Sequence, residues 1–272
     1  MKFPSLKIGD LCARIPIIQG GMGIGVSLSG LAGAVAKEGG IGVISAAQPG
    51  YKEEDFFRNT FKANIRALAK HLKKAREIAP KGVIGVNVMC RGENYEDYVT
   101  CAINNGADII FSGAGLPKKL PALVEGTKTK IAPILSTAKA ARVLLHLWEK
   151  HYNRTADAIV IEGPKAGGHL GYSREEVREL AHSGYESQIQ KVLEVVRTYE
   201  EKFKKKIPVV FGGGVFDKKD IEHYLSLGLS GVQMASRFVA TKECDAADAF
   251  KQMYVKLTKE DIGLVNSPVH MV

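Results

Sequence analysis

The fold is most readily inferred from the stretch Ala158-Ile159-Val160-Ile161-Glu162-Gly163-Pro164-Lys165-Ala166-Gly167-Gly168-His169-Leu170-Gly171, in which an apolar run leads into a glycine-rich loop. The run is short and unbroken by polar residues, which is typical of a strand that is covered on both faces. Glycines let the loop backbone adopt positive φ and approach a flat ligand, and imidazole titrates near neutral pH. The stretch predicts a buried strand that ends in a reaction site; a glycine-rich turn with a hydrogen-bonded histidine is the alternative.

Seven further runs of the same kind occur along the chain, and helical patterns separate them. They cover residues 15–18, 41–44, 83–86, 108–111, 131–135, 207–211 and 231–234. Five of the seven connections between the eight runs repeat at about 25 residues, the spacing of a βα unit. One helical pattern, from Ala138 to His151, places Ala141, Leu144, Leu145 and Trp148 on one face. We therefore expect an α/β fold, a (β/α)8 TIM barrel, in a single domain over residues 1–272.

Two connections are longer than the others and predict helical insertions after strands 2 and 6. The first, residues 51–80, carries an apolar stripe that favours a long helix beside the barrel mouth. Its members are Phe57, Phe61, Ile65, Leu68, Leu72 and Ala75. The second, residues 172–206, has Ser173 as the expected N-cap and Glu175 and Glu176 in the first turn. Because it follows the histidine loop, it either covers the site as a lid or is an outer helix with no role in chemistry.

Composition and charge exclude several classes of protein. With 45% hydrophobic and 25% charged residues, the chain has the composition of a soluble globular protein. The sequence starts without a signal-peptide core and contains no apolar run near the roughly 20 residues that cross a bilayer, so we expect a cytoplasmic location and no membrane partner. The net charge of +9 comes without an aromatic-rich basic motif, so an anionic substrate or acidic partner is favoured over nucleic acid.

The cysteines do not form a metal-binding pattern. There are four of them, at positions 12, 90, 101 and 244, and they make neither a CxxC pair nor a zinc-ligand pattern with histidine. The sequence therefore predicts no metal site and a reducing compartment.

Loops with phosphate-binding character follow the last two predicted strands. They are Gly212-Gly213-Gly214 and Ala235-Ser236-Arg237-Phe238. In barrels of this type these two loops commonly bind a phosphate group through backbone N–H groups and a short helix. The Ser236 hydroxyl can add a hydrogen bond. The alternative interpretation is that these residues only form turns and bind no phosphate.

The first and third predicted strands end in residues that suit a flat ring. The first runs into Gln19-Gly20-Gly21-Met22-Gly23 and the third ends in Asn87. Glycines permit close backbone approach, and an amide both donates and accepts hydrogen bonds at the edge of an isoalloxazine ring. Met22 also suits the role of a residue that fills a gap in the core.

Together these motifs resemble the flavin-dependent nitronate monooxygenases, formerly called 2-nitropropane dioxygenases, and the related flavin-dependent enoyl-acyl-carrier-protein reductases. The resemblance runs from Ile15 to about Pro268 and rests on residues 16–23, 85–87, 162–171, 212–214 and 231–238. It implies an FMN-binding barrel in which His169 is catalytic. The cofactor contacts that it implies are Met22, Asn87, Glu162, Gly167, Gly214, Gln233, Met234, Ala235 and Ser236, and we add the adjoining Gly21, Gly23, Gly168 and Gly213 to this predicted set.

The chain departs from the family pattern at three points. Ala235-Ser236 stands where Gly-Thr is more frequent, which keeps a hydroxyl but adds a methyl group beside the expected phosphate. Lys165 stands where relatives usually have an acidic or neutral side chain. Similar proteins continue after Ser267-Pro268-Val269 through a glycine, proline and arginine segment into a further helical region, so the resemblance implies a C-terminal helical extension that this sequence does not contain.

The resemblance leaves more than one activity open. In a nitronate monooxygenase, an anionic alkyl nitronate and oxygen give a carbonyl compound and nitrite, and His169 would orient or stabilise the nitro group or remove the α-proton. In a reductase, NAD(P)H and an acyl carrier protein would be the partners, without need of a G-x-G-x-x-G motif. A barrel that binds flavin without turnover is the third alternative. We favour the first activity; the sequence does not set the oligomeric state, and a homodimer is compatible with it.

Overall fold

The computed structural model describes residues 3–183 and 185–265, and eight parallel strands close into a barrel. The segment 267–269, from which the family extension would continue, lies outside the described residues. An antiparallel hairpin of β1 (Leu6–Ile8) and β2 (Leu11–Ala13) precedes the barrel. The barrel strands are β3 (Ile17–Gln19), β4 (Ile41–Ser45), β5 (Val83–Met89), β6 (Ile109–Gly113), β7 (Lys130–Leu135), β8 (Ile159–Glu162), β9 (Val209–Gly212) and β10 (Gly231–Met234). Each overlaps one run in the sequence, so the (β/α)8 prediction is confirmed.

The hairpin, which the sequence analysis did not predict, covers the amino-terminal end of the barrel. Leu6 lies beside Gly231, the first residue of β10, and Gly9 lies beside Lys130, the first residue of β7. Leu6 and Ile8 belong to the same buried cluster as the residues that fill the barrel interior. The hairpin therefore closes one end and leaves the carboxyl ends of the strands as the mouth.

The helices surround the barrel and follow the strands in the expected order. They are α1 (Ser29–Lys37), α2 (Thr60–Ile78), α3 (Tyr95–Asn104), α4 (Leu120–Leu123), α5 (Ala138–Tyr152), α6 (Arg174–Ser183), α7 (Glu186–Phe203), α8 (Lys218–Ser226), α9 (Ser236–Val239) and α10 (Asp248–Lys256), with a 3-10 turn at Lys259–Asp261. The face predicted for α5 is the buried face of that helix. In the part of the chain that the structure describes, no helix has the length and apolar character to span a membrane.

The first insertion forms a long helix, but its predicted stripe starts too early. Phe57 precedes α2 and is 93% exposed, whereas the neighbouring Phe56 is buried. The segment before the helix is a series of turns, in which the N–H of Phe56 donates to the carbonyl of Glu53 over 3.0 Å. Phe57 is therefore not part of the buried face of α2. From Ala63 onward the buried face follows the helical period, with Ala63, Ala67, Leu68, Leu72 and Ala75.

The second insertion consists of α6, which is an additional helix, and α7, which packs on α5. The N-cap prediction is confirmed: the N–H of Glu176 donates to the Ser173 hydroxyl over 3.2 Å, and the Ser173 N–H donates to the Glu176 carboxylate over 2.7 Å. These reciprocal bonds are a capping box. Both the lid and the outer-helix interpretation of α6 stay open.

Candidate functional site

Most of the predicted site residues lie where four neighbouring strands end. In the barrel register, Glu162 of β8 stands beside Gly212 of β9, and Gly212 stands beside Gln233 of β10. Met234 of β10 stands beside Gln19 of β3. Residues far apart in sequence thus form one continuous rim around the mouth.

The loop after β3 lies against the ends of β4 and β5. A Cβ atom at Gly21 would lie 2.4 Å from the Cβ of Asn87, and one at Gly23 would lie 2.6 Å from the Cβ of Ala47. Any side chain at these two positions would collide with its neighbour. The glycines therefore allow the loop to pack against Asn87 and Ala47. That this surface meets a flat ring stays a prediction.

Met22 is held by internal contacts of the same loop. Its N–H donates to the Ser27 hydroxyl over 2.8 Å, and its carbonyl accepts from the Ser27 N–H over 3.0 Å. Its side chain packs against the small cluster of Val26, Val239 and Cys244. This packing supports the core-filling role for Met22, and a cofactor contact by its side chain stays a prediction.

Two glutamines shape the rim between β3 and β9. The Gln233 side chain lies between Gly20 and Gly212, because a Cβ at Gly20 would be 3.4 Å from its Nε2 and one at Gly212 would be 3.3 Å from it. The buried Gln19 accepts from the N–H of Val43 over 3.0 Å and donates to the carbonyl of Gly20 over 2.5 Å. Sequence reasoning did not include Gln19 among the site residues, although it directly precedes the Gly20-Gly21 pair.

The loops after β8 and β9 are in close contact. Gly213 and Gly214 have φ of 132° and 76°, in the region that favours glycine. A Cβ at Gly213 would lie 3.2 Å from the backbone N of Ala166, and the N–H of Gly163 donates to the carbonyl of Gly212 over 2.8 Å. Gly213 and Gly214 carry no side chains of their own, and the Gly163–Gly212 hydrogen bond orders the backbone beside them. Glycine backbone of this kind can form a phosphate cradle.

Ser236 lies beside this cradle, because β9 and β10 are neighbours. Ala235 directly precedes α9 and is half-buried, and Ser236 is exposed. Its hydroxyl makes no hydrogen bond to any residue in the described ranges, so it can bind a ligand. Glycine backbone and a hydroxyl group without a partner among the described residues are groups that can bind a phosphate.

Glu162 ends β8 with a half-buried side chain. Burial raises the pKa of its carboxyl group to about 7. Its backbone carbonyl lies 2.9 Å from the Tyr172 hydroxyl, which is also 2.8 Å from the carbonyl of Ser136 and 2.6 Å from the hydroxyl of Tyr185. The sequence analysis missed this tyrosine pair; its signal is the position of one tyrosine at each end of α6.

His169 is exposed in the loop after β8, at the mouth of the barrel. The two glycines before it border open space: no atom lies within 4 Å of a Cβ placed at Gly167 or Gly168. Within residues 3–183 and 185–265 the His169 ring makes no hydrogen bond. It is therefore free to meet a ligand and is not the hydrogen-bonded turn histidine of the alternative interpretation.

Comparison with known proteins places the chain among longer relatives. The family described as nitronate monooxygenase matches residues 5–271. A probable nitronate monooxygenase of Staphylococcus saprophyticus is 24% identical over an alignment of 292 positions, which covers 98% of this chain and 76% of that protein. A Mycobacterium tuberculosis protein named (3aS,4S,5R,7aS)-5-hydroxy-7a-methyl-1-oxo-octahydro-1H-indene-4-carboxyl-CoA dehydrogenase is 26% identical over 89% of this chain. The chain spans only 57% of that relative's length.

Solved structures show the same architecture. FabK from Thermotoga maritima superposes with a TM-score of 0.68 and 26% identity, over 90% of this chain and 65% of FabK. Nitroalkane oxidase from Streptomyces ansochromogenes gives the same TM-score at 24% identity, over 88% of this chain and 70% of that chain, which shows likeness of fold.

Proposed function

This chain belongs to the nitronate monooxygenase family, whose members are flavin-dependent oxidoreductases, and we propose that it binds FMN and uses oxygen to oxidise alkyl nitronates to carbonyl compounds and nitrite. One observation carries the proposal. The glycine backbone of Gly213-Gly214, the Gly21–Asn87 contact and the exposed His169 all lie at the carboxyl ends of the barrel strands, where barrel enzymes have their active sites.

FMN is the flavin that the loops favour. The phosphate-binding residues that we propose are Gly213, Gly214, Ala235 and Ser236, which follow two adjacent strands. These loops offer one compact anion site and no second one for an adenylate. Mass spectrometry of the flavin released from the purified protein tests this assignment: we expect FMN, and finding FAD, or no uptake at micromolar FMN, would contradict it.

When bound, the flavin supplies the redox chemistry, taking electrons from the substrate and passing them to oxygen. The protein supplies position and charge. The His169 imidazole can stabilise negative charge on the nitro oxygens of a nitronate, and in its neutral form it can remove the α-proton of a nitroalkane. The amides of Asn87 and Gln233 present both donors and acceptors to a ring at the mouth.

A second candidate is NAD(P)H-dependent reduction of an enoyl thioester, with acyl carrier protein as partner. The observation that favours it is the mycobacterial relative, whose name describes a coenzyme A thioester as its substrate. The net charge of +9 also suits an acidic carrier or a phosphorylated thioester.

Two assays on the FMN-loaded full chain separate the candidates. We expect rapid oxygen consumption with an alkyl nitronate, with nitrite formed, and slow NAD(P)H oxidation with a crotonyl thioester. The reverse pattern would establish the reductase. Turnover in neither assay would favour a barrel that binds flavin without catalysis.

A further inference from the structure

The side chain of Lys165 lies against Gly214 in the proposed phosphate cradle, which Gly213 and Gly214 form. It lies in the loop after β8, and its Cβ and Cδ atoms are each 3.2 Å from the position that a Cβ would take at Gly214. The stem of the lysine thus occupies the side-chain space that this glycine leaves free. The contact places the aliphatic stem of a cationic side chain against a residue of the proposed cradle.

The charge of Lys165 is not neutralised by the protein. The side chain is exposed and makes no ion pair with the residues that the structure describes. A second cation lies at the next loop: the Arg237 guanidinium stacks over the Phe216 ring at 4.5 Å, two residues after Gly214. Like Lys165, Arg237 has no carboxylate partner among residues 3–183 and 185–265.

The neighbouring carboxylates are engaged elsewhere. Asp217 accepts from the N–H groups of Lys219 and Asp220, and Asp220 accepts from the N–H of Phe216 over 2.7 Å. These bonds hold the two acids at the start of α8 in a capping box. Neither Lys165 nor Arg237 is paired with these acids, so both cations are available to an anion that binds beside Gly214.

We propose that Lys165 is a counterion for the flavin phosphate and makes the site prefer FMN over unphosphorylated riboflavin. The proposal rests on the proposed FMN site and assigns a role to a side chain of this chain that the family pattern does not supply. A phosphate carries close to two negative charges, which neutral backbone donors compensate only in part. The lysine stem is held across Gly214, so its ammonium group can reach the anion at little further cost in chain entropy.

The test compares two ligands that differ only in the phosphate. Affinities of the flavin-free full chain for FMN and for riboflavin are measured by quenching of flavin fluorescence. For Lys165→Ala we expect FMN binding about two- to fivefold weaker with riboflavin binding unchanged, as for loss of one exposed charge pair. Lys165→Glu should weaken FMN binding further, and Lys165→Arg should restore most of it. The wild-type advantage over Lys165→Ala should shrink at high salt.

Lys150→Ala is the matched control, because Lys150 is exposed in the last turn of α5, at the end of the barrel away from the mouth. It removes the same charge and should leave both affinities unchanged. Equal losses for FMN and riboflavin in Lys165→Ala, or no loss for either, would overturn the role of Lys165. If the wild-type chain binds neither flavin, both the proposed function and this inference fail. If it binds FMN but oxidises no nitronate, only the proposed reaction fails.

Discussion

Glu162 ends β8 with a carboxyl group whose pKa burial raises from 4.5 to about 7. At a pH between these two pKa values, the carboxyl group is deprotonated in the unfolded chain and still protonated in the folded protein. The contribution of Glu162 to stability is thus complete below pH 4.5 and is lost as the pH rises through 7.

We therefore expect the melting temperature of the wild type to fall relative to that of Glu162→Gln when the pH of the flavin-free protein is raised from about 4.5 to about 7.5. Glutamine keeps the size of the side chain and does not titrate. Thermal unfolding followed by circular dichroism gives the comparison. A constant difference between the two proteins over this range would show that the Glu162 carboxyl titrates normally.

His169 is exposed at the mouth and is expected to act in the reaction and not in folding. His169→Asn should keep the flavin spectrum and the melting temperature but lose turnover by about 10² to 10⁴, the usual contribution of a positioned acid or base. Steady-state kinetics with an alkyl nitronate, the proposed substrate, measure the loss of turnover. Near-normal turnover would remove His169 from the mechanism, and unfolding or loss of flavin would mean that its role is structural.

The Ser236 hydroxyl has no hydrogen-bond partner within residues 3–183 and 185–265, and we expect it to bond the flavin phosphate. A hydrogen bond to a charged group contributes about 1.5 to 3 kcal/mol, so Ser236→Ala should weaken FMN binding by at least several fold. Ser236→Thr keeps the hydroxyl and should bind FMN nearly as the wild type does. An unchanged dissociation constant for Ser236→Ala would mean that the backbone alone holds the phosphate.

Helix α1, which follows the site loop of β3, is capped by a residue from the other end of the chain. No side chain near its own start caps it. Instead the carboxylate of Asp245 accepts from the N–H groups of Leu28, Gly30 and Leu31, at 2.8, 2.9 and 3.1 Å. The same segment is tied to the loop by the N–H of Asp245, which donates to the carbonyl of Val26 over 3.2 Å.

Asp245→Ala should lower the free energy of unfolding by about 1 to 2 kcal/mol, as for loss of a strong helix cap. Urea unfolding of the flavin-free protein measures the change. Asp245→Asn retains an oxygen that can accept and should recover part of the loss. An unchanged unfolding midpoint for Asp245→Ala would contradict the capping role.

Local patterns predicted those elements whose burial follows a simple period. The face of α5 and the eight barrel strands are read from spacing alone, because helix and strand burial repeat along the sequence. The three-residue strands of the hairpin are too short to show a period. Phe57 matches the helical spacing of the α2 stripe although it lies in a turn, because an apolar residue in a turn can match that spacing by chance.

For the whole molecule, the barrel topology explains which part of the site could be predicted. Once eight parallel strands were inferred, their carboxyl ends had to meet, which brings Asn87, Glu162 and Gln233 to one mouth. Contacts between loops could not be predicted, since they depend on side-chain directions. The crossing of Gly214 by Lys165 and the capping of α1 by Asp245 are of this kind.

The most direct test of the account mixes the FMN-loaded protein with an alkyl nitronate in the absence of oxygen and follows the visible absorption of the flavin. We expect the yellow colour to bleach rapidly and to return when oxygen is admitted, with nitrite formed. The same experiment with His169→Asn should bleach far more slowly. A flavin that stays yellow with the nitronate and bleaches with NAD(P)H would contradict the proposed function and establish a reductase.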